Sequence, residues 1–171
     1  MRNRNKYDRD GECLRRGNEV VEWFIEIAKT NGYKLKRFAT KAEDTKEHWD
    51  ILLEKDDKPL KFEIKSAKKI RREDKVPQFK LILLEIMTVS GDPGWVYGNY
   101  DYIAFSCETG FLVIAKQQMN KFLEGLKLTE NPQISADYQP YTIYRRRGRQ
   151  DAFMFVERSE LEKVGWYIEK I

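Results

Sequence analysis

The chain has 171 residues, 41% of them hydrophobic and 35% charged, with a net charge of +4. That length and apolar content suffice for one domain whose core needs no disulfide or structural metal. A single histidine, His48, and two distant cysteines, Cys13 and Cys107, argue against a zinc site and against mechanisms that need several histidines, and so mild a charge leaves any attraction to phosphate to local clusters of basic residues.

Residues 1 to 12 alternate charges with almost no apolar side chains and read as a flexible arm. They lack the apolar stretch of a signal peptide, and no run of about 18 apolar residues occurs elsewhere, so a cytoplasmic protein without a membrane segment is expected. From Asn18 to Thr30 the residues Val20, Phe24, Ile27 and Ala28 recur at helical spacing, Val21 and Ile25 widen the stripe, and Asn31-Gly32 supplies a stop. Tyr33 to Ala39 fits a short strand and Thr40 to Glu47 a polar loop. Trp49 to Glu54 and Leu60 to Ala67 alternate around Asp56-Asp57-Lys58-Pro59, which predicts a β-hairpin with a longer turn.

Phe79 to Val89 contains the dense run Leu81 to Leu84, suited to a central strand covered on both faces, with Glu85 either ending it in solvent or lining a site. Gly91-Asp92-Pro93-Gly94 ends this segment. Tyr100 to Ser106 and Phe111 to Ala115 read as strands around Glu108-Thr109-Gly110, and Gln117 to Leu126 as an amphipathic helix. Tyr141 to Arg146 and Ala152 to Glu157 resemble another strand pair. Ser159 with Glu162 matches a capping box opening a short helix, Glu160 to Val164. The order of elements predicts an α/β chain, residues 1 to 171 as a single domain with a central mixed β-sheet flanked by helices.

Along the first hairpin, alternation sets Trp49, Ile51 and Leu53 on one side and Asp50, Leu52 and Glu54 on the other. On the returning strand Phe62 and Ile64 oppose Glu63, Lys65 and Ala67, and a turn centred on Asp56-Asp57 sets Asp50 across from Glu63. Two carboxylates and an ammonium then share one face. Carboxylate oxygens suit Mg²⁺, with the Ile64 backbone carbonyl as a third protein oxygen, and Lys65 would carry its charge beside the metal, toward the attacking water and the scissile phosphate. The plain alternative is a solvated polar face.

Asp50, followed by Glu63-Ile64-Lys65 on the second strand of a hairpin and preceded by a helix bearing Glu19, resembles the PD-(D/E)XK nuclease superfamily, the restriction-endonuclease-like fold. Residues 17 to 68 carry the resemblance, and the stretch from Glu85 through Gly94-Trp95-Val96-Tyr97-Gly98 to Asp101-Tyr102-Ile103 is similar to small bacterial and phage members. Trp49 stands where the family motif has proline. The resemblance implies a metal-dependent deoxyribonuclease, an endonuclease or Holliday-junction-resolvase-like enzyme, that leaves 5′-phosphate and 3′-hydroxyl ends. It implies Mg²⁺ as cofactor, with Mn²⁺ substituting, Asp50 and Glu63 as metal ligands, Lys65 as the catalytic lysine, and Glu19 reaching the metal directly or through water.

Two basic clusters, Lys68, Lys69, Arg71 and Arg72 after the hairpin and Arg145, Arg146, Arg147 and Arg149 at a hairpin tip, are what a phosphate-tracking surface needs, although such runs are commonly solvated loops. DNA is the expected partner and no membrane is; a homodimer stays open. The rival readings are a non-catalytic nucleic-acid-binding module of the same fold and an RNA-directed nuclease.

Overall fold

The computed structural model describes residues 11–70, 74–135 and 137–171. Most of the expected arm, together with Arg71 and Arg72, lies outside the described residues. The chain is mixed α/β, and its described residues group into two compact units: those within 1–66, 99–113 and 166–171 form the first, and those within 67–98 and 114–165 the second.

The first unit is built on the apolar stripe of α1 (Glu12–Thr30), which begins six residues earlier than the periodicity predicts. Phe24, Ile25, Ile27 and Ala28 are buried against Ile51, Leu53, Phe62 and Ile64. Phe24 meets the rings of Phe62 and Phe111 at 5.3 and 4.9 Å. The helix stops where expected: Gly32 takes a φ of 84°, a left-handed conformation that glycine adopts without strain. Asn31 Nδ2 donates to Glu169 O, tying the helix end to the last strand.

The strands β1 (Lys34–Phe38), β2 (Ile51–Lys55), β3 (Lys58–Lys65), β5 (Tyr102–Ser106), β6 (Gly110–Ala115) and β9 (Trp166–Glu169) form one sheet in the order β1-β2-β3-β5-β6-β9. The sheet is mixed, since β2 and β3 are antiparallel while β3 and β5 run parallel, with Glu63 beside Ile103. The β2–β3 turn is tighter than predicted. Only Asp56 and Asp57 form it, at φ 51° and 58°, the left-handed pair that matches strand twist in a two-residue hairpin, and Pro59 already pairs with Glu54. Strand β9 is absent from the sequence-based expectation. Gly110 permits its approach to β6, since a Cβ there would stand 2.2 Å from Ile168 O.

In the second unit β4 (Leu81–Met87) pairs with β8 (Ala152–Glu157), which pairs with β7 (Ile143–Tyr144), all antiparallel. Here the structure corrects the reading of β4 as a central strand covered on both faces. It lies at the edge of this three-stranded sheet, with Ile82, Leu84 and Ile86 buried and Leu81, Leu83 and Glu85 half-buried between them. A dense apolar run does not distinguish a doubly covered strand from one whose second face packs partially. Tyr138, Tyr144, Phe153 and Phe155 form the aromatic cluster of this unit. Helix α2 (Lys116–Glu124) follows the predicted stripe. Helix α3 (Arg158–Glu162) begins after Glu157 with no side-chain cap, so the Ser159–Glu162 capping box does not form.

A capping box does form where a loop was expected. Thr40 N–H donates to Glu43 Oε2 and Glu43 N–H to Thr40 Oγ1, closing the start of a helical turn that ends in a π-helical segment, Glu43–Glu47. Arg37 grips the same carboxylate with two hydrogen bonds of 2.8 Å. Arg37 first, then the Thr40 amide, lowers the Glu43 pKa from 4.5 to about 2. A carboxylate depressed on folding contributes stability above its unfolded pKa and loses it as pH falls through the folded value. Protection of the Thr40 and Glu43 amides, taken relative to their intrinsic exchange rates, should therefore fall as pH drops from about 4.5 to about 2; protection unchanged across that window would mean that the carboxylate does not hold the turn.

Candidate active site

The helical turn leads into His48, at φ 53°, then Trp49 and Asp50. Trp49 is fully buried with the Arg37 guanidinium 4.9 Å and the Lys61 ammonium 5.1 Å from its ring centre. Its indole N–H donates to Glu47, which also accepts from Lys61 and Asn99. Lys61 and the indole are the leading causes that lower the Glu47 pKa. Trp49 is thus fixed by two cations and a carboxylate directly before Asp50.

Asp50 is buried and tied into the sheet through both its backbone and its side chain. Its N–H donates to Phe62 O, its carbonyl accepts from Ala39 N–H, and its Oδ2 accepts from Ile64 N–H at 2.8 Å. Phe62 is the residue paired with Ile51, so Asp50 and Ile51 both face one residue of β3, as in a β-bulge, a feature that re-aims side chains beside functional sites. Simple alternation sets Asp50 and Glu63 directly across from each other. The structure instead places the Asp50 carboxylate on the backbone N–H adjoining Glu63.

Glu63 is 1% exposed, on the strand face opposite Phe62 and Ile64, which join the α1 core. Lys65, two residues along and half-buried, forms an ion pair with Glu63 Oε1. Glu63 Oε2 is buried and has no hydrogen-bond partner among the described residues. An ionised carboxylate in such a position is costly unless a cation or donor meets it. The buried phenol of Tyr100 is close enough to be affected: its pKa is raised well above the ordinary range, by burial first and by the charge of Glu63 second. In the sequence Tyr100 opens a predicted strand, and no local pattern places it near Glu63.

The structure does not bring Glu19 to this group. Glu19 is exposed, pairs with Arg15 at 2.5 Å, and lines a groove with Glu22, Trp23 and Leu35. Its helix packs its buried side against the apolar face of the hairpin, away from Glu63. Ile64 is buried and registers with Ala104. Lys68 is exposed and Lys69 half-buried. Arg146 pairs with the buried Asp151 and lies 5.7 Å from the Phe153 ring, while Arg145 Nε donates to Asp151 O. These two guanidinium groups therefore have structural partners, whereas Arg147 is exposed at the tip.

Among the described residues no three His, Cys, Asp or Glu side chains cluster as a metal site. Two carboxylates still fit Mg²⁺, which keeps several waters and uses few protein ligands. The buried open oxygen of Glu63 fits a cation on chemical grounds. No family model, curated protein or solved structure matches the chain.

Proposed function

We propose that this chain is a divalent-metal-dependent nuclease that hydrolyses DNA phosphodiester bonds at the β2–β3 hairpin. The observation that carries the reading is Glu63: a carboxylate only 1% exposed, one oxygen on Lys65 and the other without a hydrogen-bond partner among the described residues, beside an Asp50 anchored on the next residue's N–H. The Asp50, Glu63-x-Lys65 spelling and its resemblance to the PD-(D/E)XK superfamily support the same reading. Asp50 and Glu63 would hold the cation, with the Ile64 carbonyl as a further oxygen. When bound, such an ion supplies charge neutralisation at phosphate and acidifies water. Ile64 N–H fixes the orientation of Asp50, and Lys65 provides a positive charge for the developing charge on the phosphate oxygens. The buried Glu63 holds Lys65 in place before substrate arrives.

The test is incubation with labelled duplex, single-stranded and four-way-junction DNA, and with RNA, in Mg²⁺, Mn²⁺ or EDTA. Cleavage of DNA in either metal and none in EDTA is expected. Salt-sensitive binding with no cleavage in any metal would leave a nucleic-acid-binding module, and cleavage of RNA alone would change the substrate.

For the basic tip, Arg147 is the informative position, because replacing Arg146 would also strip the buried Asp151 of its partner. Arg147→Ala should flatten the log-log salt dependence of DNA binding by about 0.9, the value for one phosphate contact. An unchanged slope would return this arginine to solvated surface.

A further inference from the structure

The groove beside Glu19 is lined by residues of two elements only, α1 and β1. Trp23 and Leu35 give it an apolar floor, Phe38 stands at its end with 55% of its surface exposed, and Glu19, Glu22 and Glu26 form an acidic rim. Strand β1 ends the six-stranded sheet and pairs with β2 alone among the described strands. Its other side therefore offers backbone donors and acceptors directly beside the groove.

From these features we infer that the α1–β1 groove is a docking surface for an extended peptide segment of a partner protein, one that adds to the open edge of β1 and carries apolar residues interspersed with lysine or arginine. Strand addition beside a helix supplies backbone hydrogen bonds for affinity and a groove for alternate side chains. Apolar side chains of the segment would cover Phe38 and Leu35, and its cations would meet the carboxylates. Two of those carboxylates already hold local cations, Glu19 with Arg15 and Glu26 with Lys29, which leaves Glu22 as the principal anchor for an incoming charge.

The acidic rim repels nucleic acid phosphates, so this surface is distinct in kind from a DNA-tracking one. The edge is also guarded. Lys34 and Lys36 lie along it, Lys36 paired with Glu54, and the register shifts between Leu35 and Arg37, features that discourage indiscriminate strand pairing. The inference does not depend on the proposed nuclease activity, because it uses none of the hairpin carboxylates.

The experiment titrates the full chain with a fluorescent eight-residue peptide in which leucine and lysine take turns at every second position, separated by threonine, so that both face the groove, with a peptide carrying glutamate in place of lysine as control, and follows amide exchange. Saturable binding of the lysine peptide is expected, with added protection over Lys34–Phe38 and little binding of the control. Glu22→Lys and Phe38→Ala, both at exposed positions, should each weaken binding at least about tenfold, as for anchor residues of an interface. Binding that neither variant weakens, or protection confined to other segments, would overturn the proposal as nonspecific adhesion. Self-association of the chain abolished by Phe38→Ala would overturn it in favour of a second copy as the occupant.

Discussion

Lys65→Ala should slow DNA cleavage by on the order of 10²- to 10³-fold, the loss typical of a positioned electrostatic group, while leaving the fold intact. Lys65 is half-buried and its ammonium rests on Glu63 Oε1, whereas Phe62 and Ile64, on the opposite face, make the core contacts. Truncating Lys65 therefore removes charge at the site and little apolar packing. Both carboxylates remain, so a divalent cation should still bind, and at least as tightly, since a competing positive charge has gone. Asp50→Asn should behave differently, weakening both cation affinity and turnover, because a neutral amide replaces an anionic ligand. Cleavage rate, Mn²⁺ titration and DNA binding in Ca²⁺ together read the contrast. A Lys65→Ala protein that is folded and cuts at the unaltered rate would remove the hairpin from the nuclease reading.

Glu63→Gln should abolish cleavage and also change stability, with a sign that depends on metal. Without metal, the chain must bury a carboxylate whose Oε2 has no hydrogen-bond partner among the described residues, a costly arrangement that a neutral amide relieves at least in part. The variant should therefore match or exceed the unaltered chain in EDTA. With metal the order reverses. A ligand that binds only the folded state stabilises it by about 2.7 kcal/mol at about 100 Kd, and Glu63→Gln should lose most of that gain. Thermal unfolding of both proteins in EDTA and in a Mn²⁺ series checks the crossing. If Glu63 were simply the structural partner of Lys65, Glu63→Gln would be destabilised in every condition and Mn²⁺ would shift neither protein.

The amino-acid sequence by itself determined the elements whose residues repeat with a clear period. The stripe through Phe24, Ile27 and Ala28 specified α1 and its buried face, and alternation in the hairpin sent Phe62 and Ile64 into the core and Glu63 and Lys65 to the opposite side. Asn31-Gly32 marked the helix end, again because the chemistry is local. Only the tertiary structure decided what period cannot encode. Alternation says which side of β3 Glu63 faces, yet not that this side is buried, because burial depends on segments far away in sequence. The seat of the Asp50 carboxylate on Ile64 N–H goes with backbone hydrogen bonds of Asp50 to Phe62 and Ala39, and the position of Tyr100 with where β5 docks. Strand β4 looked central because its apolar run is dense, but its partner β8 begins more than sixty residues later. Strand β9 likewise pairs with β6 from a distant part of the sequence. Glu19 looked like a site residue from its place on a helix before the hairpin, and packing turned the other side of that helix toward the core. Local spelling carries propensity and facing; the choice among distant partners rests on how apolar faces and backbone hydrogen bonds are satisfied together.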